Sequence, residues 1–428
     1  ARAARASAGA AVPLALAVGT GRRGRCRRAS TLARYASSPG GANGVPKNGA
    51  TAPAAGLPPR KTGVLLQNIG TPASTSVDDV RDYLSRFLGD DRVIDIEPAW
   101  LKFIALQILL GTRPAKSAAN YARIWDEERG SPLQFHTEDL VVRLQEALGD
   151  EYDVRCAFQY SRPFTPDAVE QFAKDGIDRI VLVPQFPQYA SGTVGTCLAS
   201  AYEKAAKMQF TPFLSVVPPF YAEESFLGAV KENIAQVIGP KGSNVDHMLF
   251  SFHGLPVDQC TAAHRDGLPC DCQVDGQLTE GNSNCYRAQC HDTARRLAAD
   301  LGLEDGAWSV GFQSRLTLRG TIKWITPYTD VLFEELAARG VRRLAIAAPS
   351  FTADCIETLE ELGISGQREF REAGGSELLV IPCVNSSERW ASGLADLVRR
   401  QALTDPKVAP DALATEPCGE LLVADVRT

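Results

Sequence analysis

The sequence predicts an α/β protein with two similar Rossmann-like lobes, each with a parallel sheet, and an active-site cleft between them. Short apolar runs alternate with amphipathic segments along most of the chain, which is the pattern of βαβ units. Two strand ends match across the halves, because LVPQFPQY and IAAPSFTAD both place a proline and an aromatic residue at the sheet edge. With 428 residues, the chain is long enough for two ordinary domains.

Charge is distributed unevenly along the chain. Residues 1–60 contain nine Arg and one Lys but no Asp or Glu, while the whole chain has a net charge of −6. The remainder therefore carries about −16, which argues against a nucleic-acid-binding protein. The basic segment is rich in Ala, Arg and Ser, so we expect a targeting leader and linker for a plastid (chloroplast) or a mitochondrion. The alternative is a disordered basic tail that carries no targeting signal.

We expect two lobes, at 61–245 and 246–405, followed by a loosely ordered tail at 406–428. Apolar runs bounded by Gly, Pro or polar residues predict strands at 64–67, 152–158, 178–184 and 213–217, and then at 247–252, 307–314, 343–349 and 377–382. Apolar residues at three- and four-residue spacing predict helices at 76–88, 165–175, 225–238, 329–339 and 389–403, and a loop and helix at 350–362.

The segment 97–113, EPAWLKFIALQILLGTR, is the most apolar part of the chain after the leader. On a helix, one face would carry Trp100, Phe103, Ile104, Ile108 and Leu109. This helix is either buried in the core or forms an exposed apolar lip that touches a bilayer or covers an oily ligand. The lip reading predicts a peripheral membrane protein. No stretch reaches the 18 apolar residues expected of a membrane span.

Two strand ends carry side chains suited to chemistry. His253 directly follows the apolar strand in VDHMLFSFHGLP, and ligands of parallel sheets bind beyond the carboxyl ends of the strands. The alternative for His253 is a buried histidine bonded to a backbone carbonyl. In SFTADCIETLEEL, Asp354 suits a helix cap, while Glu357 and Glu361 are four residues apart and share a helix face. Early helical acids also serve as plain helix-dipole partners.

Seven sequence blocks, taken in order, resemble those of a known family. They are LLQNIGTP, RPAKSAANYARIW, PQFPQYASGT, FSFHGLP, GFQSR, KWITPYTD and SFTADCIETLEEL. This ordered set is similar to the signature blocks of the ferrochelatases, over about residues 61–403. The resemblance implies a chelatase-like fold and a lyase that inserts Fe²⁺ into protoporphyrin IX, the terminal step of haem biosynthesis, yielding protohaem and two protons. A homodimer is one assembly to consider.

The resemblance also assigns roles to residues. His253 would be proton acceptor or metal ligand and Glu357 its partner, with Asp354 and Glu361 extending an acidic path. Imidazole suits proton transfer near neutral pH, and carboxylates suit hard divalent cations. Porphyrin contacts are implied for Tyr160, Tyr189, Gln313, Ser314 and Trp324, with core packing as the alternative for the aromatic residues.

Two departures from the family pattern and three rival functions remain. Cys355 stands where some ferrochelatases have a second histidine, and the segment 316–322 is longer than expected. The rivals are a coproporphyrin ferrochelatase, a chelatase for another metal, and a non-catalytic tetrapyrrole or iron–sulfur binding protein on the same fold.

Five of the 11 cysteines fall within 260–290. Thiols clustered in an insertion indicate a metal site more than a disulfide framework when the compartment is reducing. By resemblance to the iron–sulfur-containing ferrochelatases, a [2Fe–2S] cluster would be held by Cys270, Cys272, Cys285 and Cys290, with Cys260 as the alternative. Zinc is the rival metal. His264 and His291 are expected to be solvated, although either could replace one thiolate.

Overall fold

The structure, a computed structural model, describes residues 61–94, 96, 98–239, 244–315 and 322–402. The expected leader and linker, the expected tail and nearly all of the segment 316–322 lie outside these residues.

The described part of the chain contains eight strands, all near their predicted positions. They are β1 (Thr62–Asn68), β2 (Tyr152–Phe158), β3 (Arg179–Pro184), β4 (Phe213–Val216), β5 (His247–His253), β6 (Trp308–Gln313), β7 (Arg343–Ala347) and β8 (Glu377–Val380). The helices are α1 (Val77–Gly89), α2 (Ala99–Ile124), α3 (Pro132–Leu148), α4 (Thr165–Lys174), α5 (Thr196–Ala206), α6 (Glu224–Ile238), α7 (Val257–Thr261), α8 (Tyr286–Leu301), α9 (Thr329–Ala338), α10 (Gln367–Glu372) and α11 (Glu388–Gln401).

Two four-stranded parallel sheets form the framework, and their topologies are the same. The strand orders are β2-β1-β3-β4 and β6-β5-β7-β8, so each half places its first strand inside the sheet and its second at the edge. All seven residues of β1 are buried, because a parallel sheet is covered by helices on both faces. The predicted fold class, two similar α/β lobes, is confirmed.

Each half also contains a π-helical segment after its third strand. Ser191–Gly195 leads into α5 in the first half, and Ile356–Gly366 leads into α10 in the second. Such segments are rare and occur most often at functional sites. Their equivalent positions repeat the topological match between the halves.

A local cap explains where α1 begins, and packing explains how far α2 extends. The Ser76 side chain accepts a hydrogen bond from the Asp79 backbone N–H at 3.1 Å, so it caps α1. We predicted that the second helix ends at residue 113, but α2 continues through Pro114 to Ile124. Beyond the proline, Ala118 and Tyr121 pack against Val80 in a buried cluster, and this packing stabilises the extra turns.

The last helix packs against the first half of the chain. The Trp390 ring of α11 lies 5.0 Å from that of Phe220 and 5.5 Å from that of Phe226. The Arg399 side chain donates a hydrogen bond of 2.6 Å to the backbone oxygen of Ala147, near the end of α3. The two halves therefore share a core and are joined by more than the connecting chain. Among the helices of the described ranges, none combines the length and apolar character needed to cross a membrane.

Candidate active site

The carboxyl ends of strands from both sheets meet at a cavity of 290 Å³. Its walls include Asn68 and Ile69 after β1, Gln185 and Phe186 after β3, His253 and Gly254 at the end of β5, Ser314 after β6, and Ser350 to Ala353 after β7. This is where ligands bind to parallel α/β sheets. Helices α1 and α2 close one side with Leu84, Leu88 and Arg113.

The His253 ring has a defined tautomer. Its Nδ1 lies 2.7 Å from the backbone oxygen of Gly254. A carbonyl oxygen can only accept, so Nδ1 carries the hydrogen and donates it. In the neutral ring, Nε2 is then the nitrogen that can take up a proton. The carbonyl-bonded alternative and the catalytic role are thus compatible, since each uses a different nitrogen.

Hydrogen bonds on both sides fix the backbone at His253. The His253 N–H donates to the Ser350 hydroxyl at 3.1 Å, and the Tyr286 hydroxyl donates to the His253 carbonyl at 2.9 Å. The next N–H, of Gly254, donates to the Gln313 carbonyl at 2.7 Å. A Cβ at Gly254 would lie only 2.8 Å from that carbonyl oxygen, so this close approach requires glycine.

Glu357 lies at the start of the second π-helical segment and lines the same cavity as His253. Its backbone oxygen accepts a hydrogen bond of 3.3 Å from the Gln313 amide, which in turn accepts one of 2.6 Å from Ser251. His253 thus ends β5, and Glu357 lies beyond the loop that follows β7, the neighbour of β5 in the second sheet. Beside them, Cys355 lines the cavity, and burial raises the pKa of its thiol.

Asp354 does not fit the acidic path in which the sequence placed it. Its carboxylate is buried and accepts hydrogen bonds from the Thr358 hydroxyl (3.0 Å), the Cys383 N–H (3.2 Å) and the Asn385 amide (2.8 Å). It is not among the residues that line the cavity. Nor does it cap the helix, because Cys355 occupies the cap position. Asp354 joins two loops of the second lobe instead.

Glu361 lies behind the cavity wall and holds Ser314 in place. Ser314 has a φ of 62°, a left-handed conformation that is unfavourable for a residue with a Cβ. Its N–H and hydroxyl donate to the two Glu361 carboxylate oxygens at 2.8 Å and 2.5 Å. Burial, together with the charge of Glu357, raises the pKa of Glu361 to about 7. Its carboxyl group can therefore gain or lose a proton near neutral pH.

The five expected porphyrin contacts divide into two groups. Ser314 and Trp324 line the cavity, whereas Tyr160, Tyr189 and Gln313 do not. The Tyr160 hydroxyl donates to Asp90 at 2.8 Å, so this ring is part of the core. The Tyr189 N–H donates to the Gln289 side chain at 2.7 Å, and Gln313 supports Glu357 from behind. These three residues position the cavity wall.

Two cations on the cavity wall were missed by the sequence analysis. Arg92 and Arg113 both line it, and the Arg92 guanidinium also donates to the Ser191 hydroxyl at 3.2 Å. Burial lowers the pKa of Arg113, which marks a partly desolvated cation. In sequence, Arg92 was one arginine among many; Arg113 opens the block RPAKSAANYARIW, but that pattern assigned it no role.

A group of thiols lies on the insertion that follows β5. The Cys270 and Cys285 sulfurs are 3.6 Å apart, and those of Cys272 and Cys285 are 4.0 Å apart. These distances are too long for disulfides, which need about 2.05 Å, but close to the spacing of thiolates that share a tetrahedral metal. Hydrogen bonds from Cys260 and Cys272 lower the pKa of the Cys270 thiol and favour its thiolate form.

The fourth thiol differs from the prediction. Cys290 lies within α8, where its thiol is hydrogen-bonded with Tyr286, and it is not part of the group. Cys260, the alternative, is hydrogen-bonded with Cys270 and Cys285. The side chains that lie close enough to share a metal are Cys270, Cys272, Cys285 and His264, with Cys260 beside them, so the prediction of Cys290 is corrected. Residue spacing alone could not show which donors meet.

Neither histidine of this region is solvated as expected, because His291 is buried and the side chain of the partly buried His264 is only 6% exposed. The His264 Nε2 lies 3.5 Å from the Cys272 sulfur, so this ring belongs to the group of metal-ligating side chains. His291 is 3% exposed and packs edge-on against Phe312. Burial lowers the pKa of His291 to about 4, so it is neutral at physiological pH.

Comparison with known proteins gives consistent matches. A family model described as ferrochelatase matches residues 61–402. A ferrochelatase of Bdellovibrio bacteriovorus is 42% identical over 343 residues, which cover 79% of this chain and 99% of the relative. One of Pseudomonas putida is 40% identical over 344 residues, covering 79% and 98%. Among solved structures, SirB from Bacillus subtilis with Fe³⁺ matches with a TM-score of 0.43 and 11% identity, over 79% of this chain and 95% of that one.

These relatives contradict the organellar location expected from the basic leader. They are ferrochelatases of bacteria, which point to a bacterial cell rather than a plastid or mitochondrion. A basic segment without acids is a compositional signal only, and composition alone led to the wrong location.

Glu361→Gln should flatten the dependence of stability on pH between about 4.5 and 7. The pKa of Glu361 in the fold, about 7, exceeds its usual 4.5. Its protonated form therefore stabilises the fold at low pH, and this contribution is lost as the pH rises through about 7. Glutamine does not titrate, yet it offers an oxygen to Ser314. Urea unfolding midpoints from pH 4.5 to 8 measure the effect. The exposed Glu334→Gln is the control, and parallel profiles for wild type and Glu361→Gln would contradict the expectation.

Proposed function

The chain belongs to the ferrochelatase family, and we propose that its cavity inserts Fe²⁺ into protoporphyrin IX with His253 and Glu357 as the reacting groups. It is a metal-insertion enzyme, a lyase. One observation carries the residue assignment: a histidine with an available Nε2 and a carboxylate line one cavity at the carboxyl ends of two neighbouring strands.

The walls of the cavity support a porphyrin as its ligand. Apolar side chains dominate them, among which are Ile69, Leu84, Leu88, Val93, Leu133, Phe186, Phe351 and Trp324. A flat apolar macrocycle is stabilised by such a surface. Arg92 and Arg113 suit its propionate carboxylates, because guanidinium groups form strong charge-assisted hydrogen bonds with carboxylates.

The proposed reaction replaces two pyrrole N–H protons by one dication. His253 Nε2 accepts a proton from a pyrrole nitrogen, and the freed lone pair binds Fe²⁺. The Glu357 carboxylate attracts the metal ion and replaces water ligands as Fe²⁺ loses its hydration shell. The second pyrrole proton passes to the Glu357 carboxylate, and Glu361, whose pKa is about 7, relays it away. The products are haem and two protons, and no electron is transferred.

His253→Ala and Glu357→Gln should each lower the insertion rate by at least about 100-fold, the usual contribution of a positioned acid–base group. Their affinity for protoporphyrin IX should stay within about threefold of wild type, because apolar contacts provide most of the binding. Absorbance under anaerobic conditions follows Fe²⁺ insertion, with Zn²⁺ as a second metal and Glu334→Gln as the control. Full insertion by both variants would show that the assignment is wrong.

The same assay separates the rival functions. Wild-type protein should metallate protoporphyrin IX faster than coproporphyrin, and Fe²⁺ insertion should exceed that of other divalent ions. Protein that binds porphyrin tightly but inserts no metal would instead be a carrier.

We further propose that Cys260, Cys270, Cys272 and Cys285 hold a [2Fe–2S] cluster. The support is the donor set: the Cys270, Cys272 and Cys285 thiols lie together, the Cys260 thiol is hydrogen-bonded with two of them, and none is paired in a disulfide. Cysteine thiolates are the usual ligands of such clusters. His264 lies beside them as a fifth donor. A bound cluster would supply a redox-active link between segments of the insertion. Zinc remains the rival, because three thiolates and an imidazole also suit a tetrahedral ion.

Substitutions distinguish the members of the thiol group from the thiol outside it. Anaerobically purified wild-type protein should be reddish, with visible absorption and about two irons per chain. Cys260→Ser and Cys285→Ser should lose the iron and the absorption, whereas Cys290→Ser should keep both. Colourless protein containing only zinc would contradict the proposed cluster. Loss of metal from Cys290→Ser would contradict the choice of Cys260, Cys270, Cys272 and Cys285 as its ligands.

We also propose that α2 carries an apolar lip that contacts a bilayer. The lip consists of Trp100, Leu101, Phe103, Ile104 and Ile108, which are 41–63% exposed. Leu109, expected on the same face, is buried. Farther along the same helix, Arg113 lines the cavity, so a porphyrin dissolved in a membrane would have a short path inward.

Phe103→Glu combined with Ile108→Glu should weaken binding to phosphatidylcholine–phosphatidylglycerol vesicles by at least about tenfold, because each apolar side chain contributes about 1.5 kcal/mol or more when buried. Co-sedimentation measures the bound fraction. Phe210→Glu is the matched control, since Phe210 is 57% exposed and lies outside the lip. Equal losses in both proteins would argue against the lip. The homodimer stays a prediction, which ultracentrifugation can test.

A further inference from the structure

Tyr286 links the thiol group to the catalytic base. It is the first residue of α8, directly after Cys285, which forms the cap of that helix. Its ring lines the cavity, and its side chain is almost completely buried. Its hydroxyl donates a hydrogen bond of 2.9 Å to the carbonyl of His253, which is 33 residues earlier in the chain. One side chain thus touches the metal-ligating segment, the cavity and the backbone of the base.

The peptide group that Tyr286 contacts controls the position of the imidazole. It joins His253 to Gly254; its carbonyl accepts from Tyr286 and its N–H donates to Gln313. The next carbonyl, that of Gly254, accepts from Nδ1 of His253. Rotation of this peptide would move the acceptor that orients the ring. Gln313 fixes one end of the peptide group from β6, and Tyr286 fixes the other end from α8.

The thiol group closes these contacts into a continuous path that begins and ends at His253. From His253 the chain passes through Pro256 into α7, which carries Cys260. The Cys260 and Cys285 thiols are hydrogen-bonded, and Tyr286 then returns to the His253 carbonyl. A metal bound between Cys260 and Cys285 would hold both segments that lead away from the base.

We propose that Tyr286 is a positioning residue through which metal occupancy of the thiol group fixes the His253 imidazole. With metal bound, the start of α8 is anchored and the Tyr286 hydroxyl holds the peptide after His253. Without metal, Cys260 and Cys285 separate more readily, this hydrogen bond opens, and the imidazole loses its orientation. The inference rests on the proposed reaction and on the proposed metal centre.

Tyr286→Phe removes only the hydroxyl and keeps the ring on the cavity wall. The variant should retain full metal content and visible absorption, and its KM for protoporphyrin IX should stay within about twofold of wild type. Its kcat should fall by about tenfold, the loss expected when one hydrogen bond no longer orients a catalytic group. Tyr152→Phe, on β2 and outside the cavity, is the matched control and should behave as wild type.

Amide hydrogen exchange of the peptide that spans residues 250–256 gives a readout independent of activity. In wild type, removal of the metal should increase exchange in this segment. In Tyr286→Phe, exchange should already be raised with metal bound, and metal removal should add little. Three results would each overturn the proposal. They are a wild-type kcat in Tyr286→Phe, loss of metal from Tyr286→Phe, and exchange of residues 250–256 that does not change when metal is removed from wild type.

The wild-type sample distinguishes this failure from failure of the proposed function. Wild type that inserts no metal, or that contains no metal at its thiols, contradicts the proposed reaction or the proposed centre. If wild type is active and contains metal, and Tyr286→Phe has the same kcat and the same hydrogen exchange as wild type, only the role of Tyr286 is contradicted.

Discussion

The parallel direction of the strands is the constraint on which the site depends. In each sheet all carboxyl ends lie at one edge, and both of these edges meet at a single cavity. Residues far apart in sequence, such as Ile69, His253 and Glu357, therefore become neighbours without any long-range signal in the chain. The two halves contribute unequally, because His253 and Glu357 both belong to the second half while loops after strands of the first sheet supply mainly the wall of the cavity.

The sequence predicted most of the framework and part of the site. All eight strands were found as apolar runs, since strands covered on both faces need little else to identify them. Helix α8 was missed because its first nine residues, Tyr286–Ala294, are buried although most are polar or small, so the sequence shows no apolar stripe to mark a helix there. His253 and Glu357 reach one cavity because His253 ends β5 and Glu357 lies in the segment that follows the neighbouring strand β7.

What the sequence could not predict depends on partners distant in the chain. Asp354 resembled a cap or a path residue, but Cys383 and Asn385, about thirty residues later, occupy its oxygens. Tyr160 resembled a porphyrin contact, but Asp90 accepts its hydroxyl hydrogen. Cys290 and Cys260 are both buried within helices, and only their partners separate them, because the Cys260 thiol is hydrogen-bonded with Cys270 and Cys285 while that of Cys290 is hydrogen-bonded with Tyr286. A local motif names the residue type, and tertiary packing decides its role.

The packing of α11 bears on how the chain folds during synthesis. Trp390 covers Phe220 and Phe226, so the apolar face of the first half stays uncovered until the carboxyl-terminal helix has left the ribosome. The first half cannot complete its core as an independent unit, although all four strands of its sheet, β1 to β4, come from that half. Contacts across so long a stretch of chain slow folding and leave apolar surface open to aggregation meanwhile.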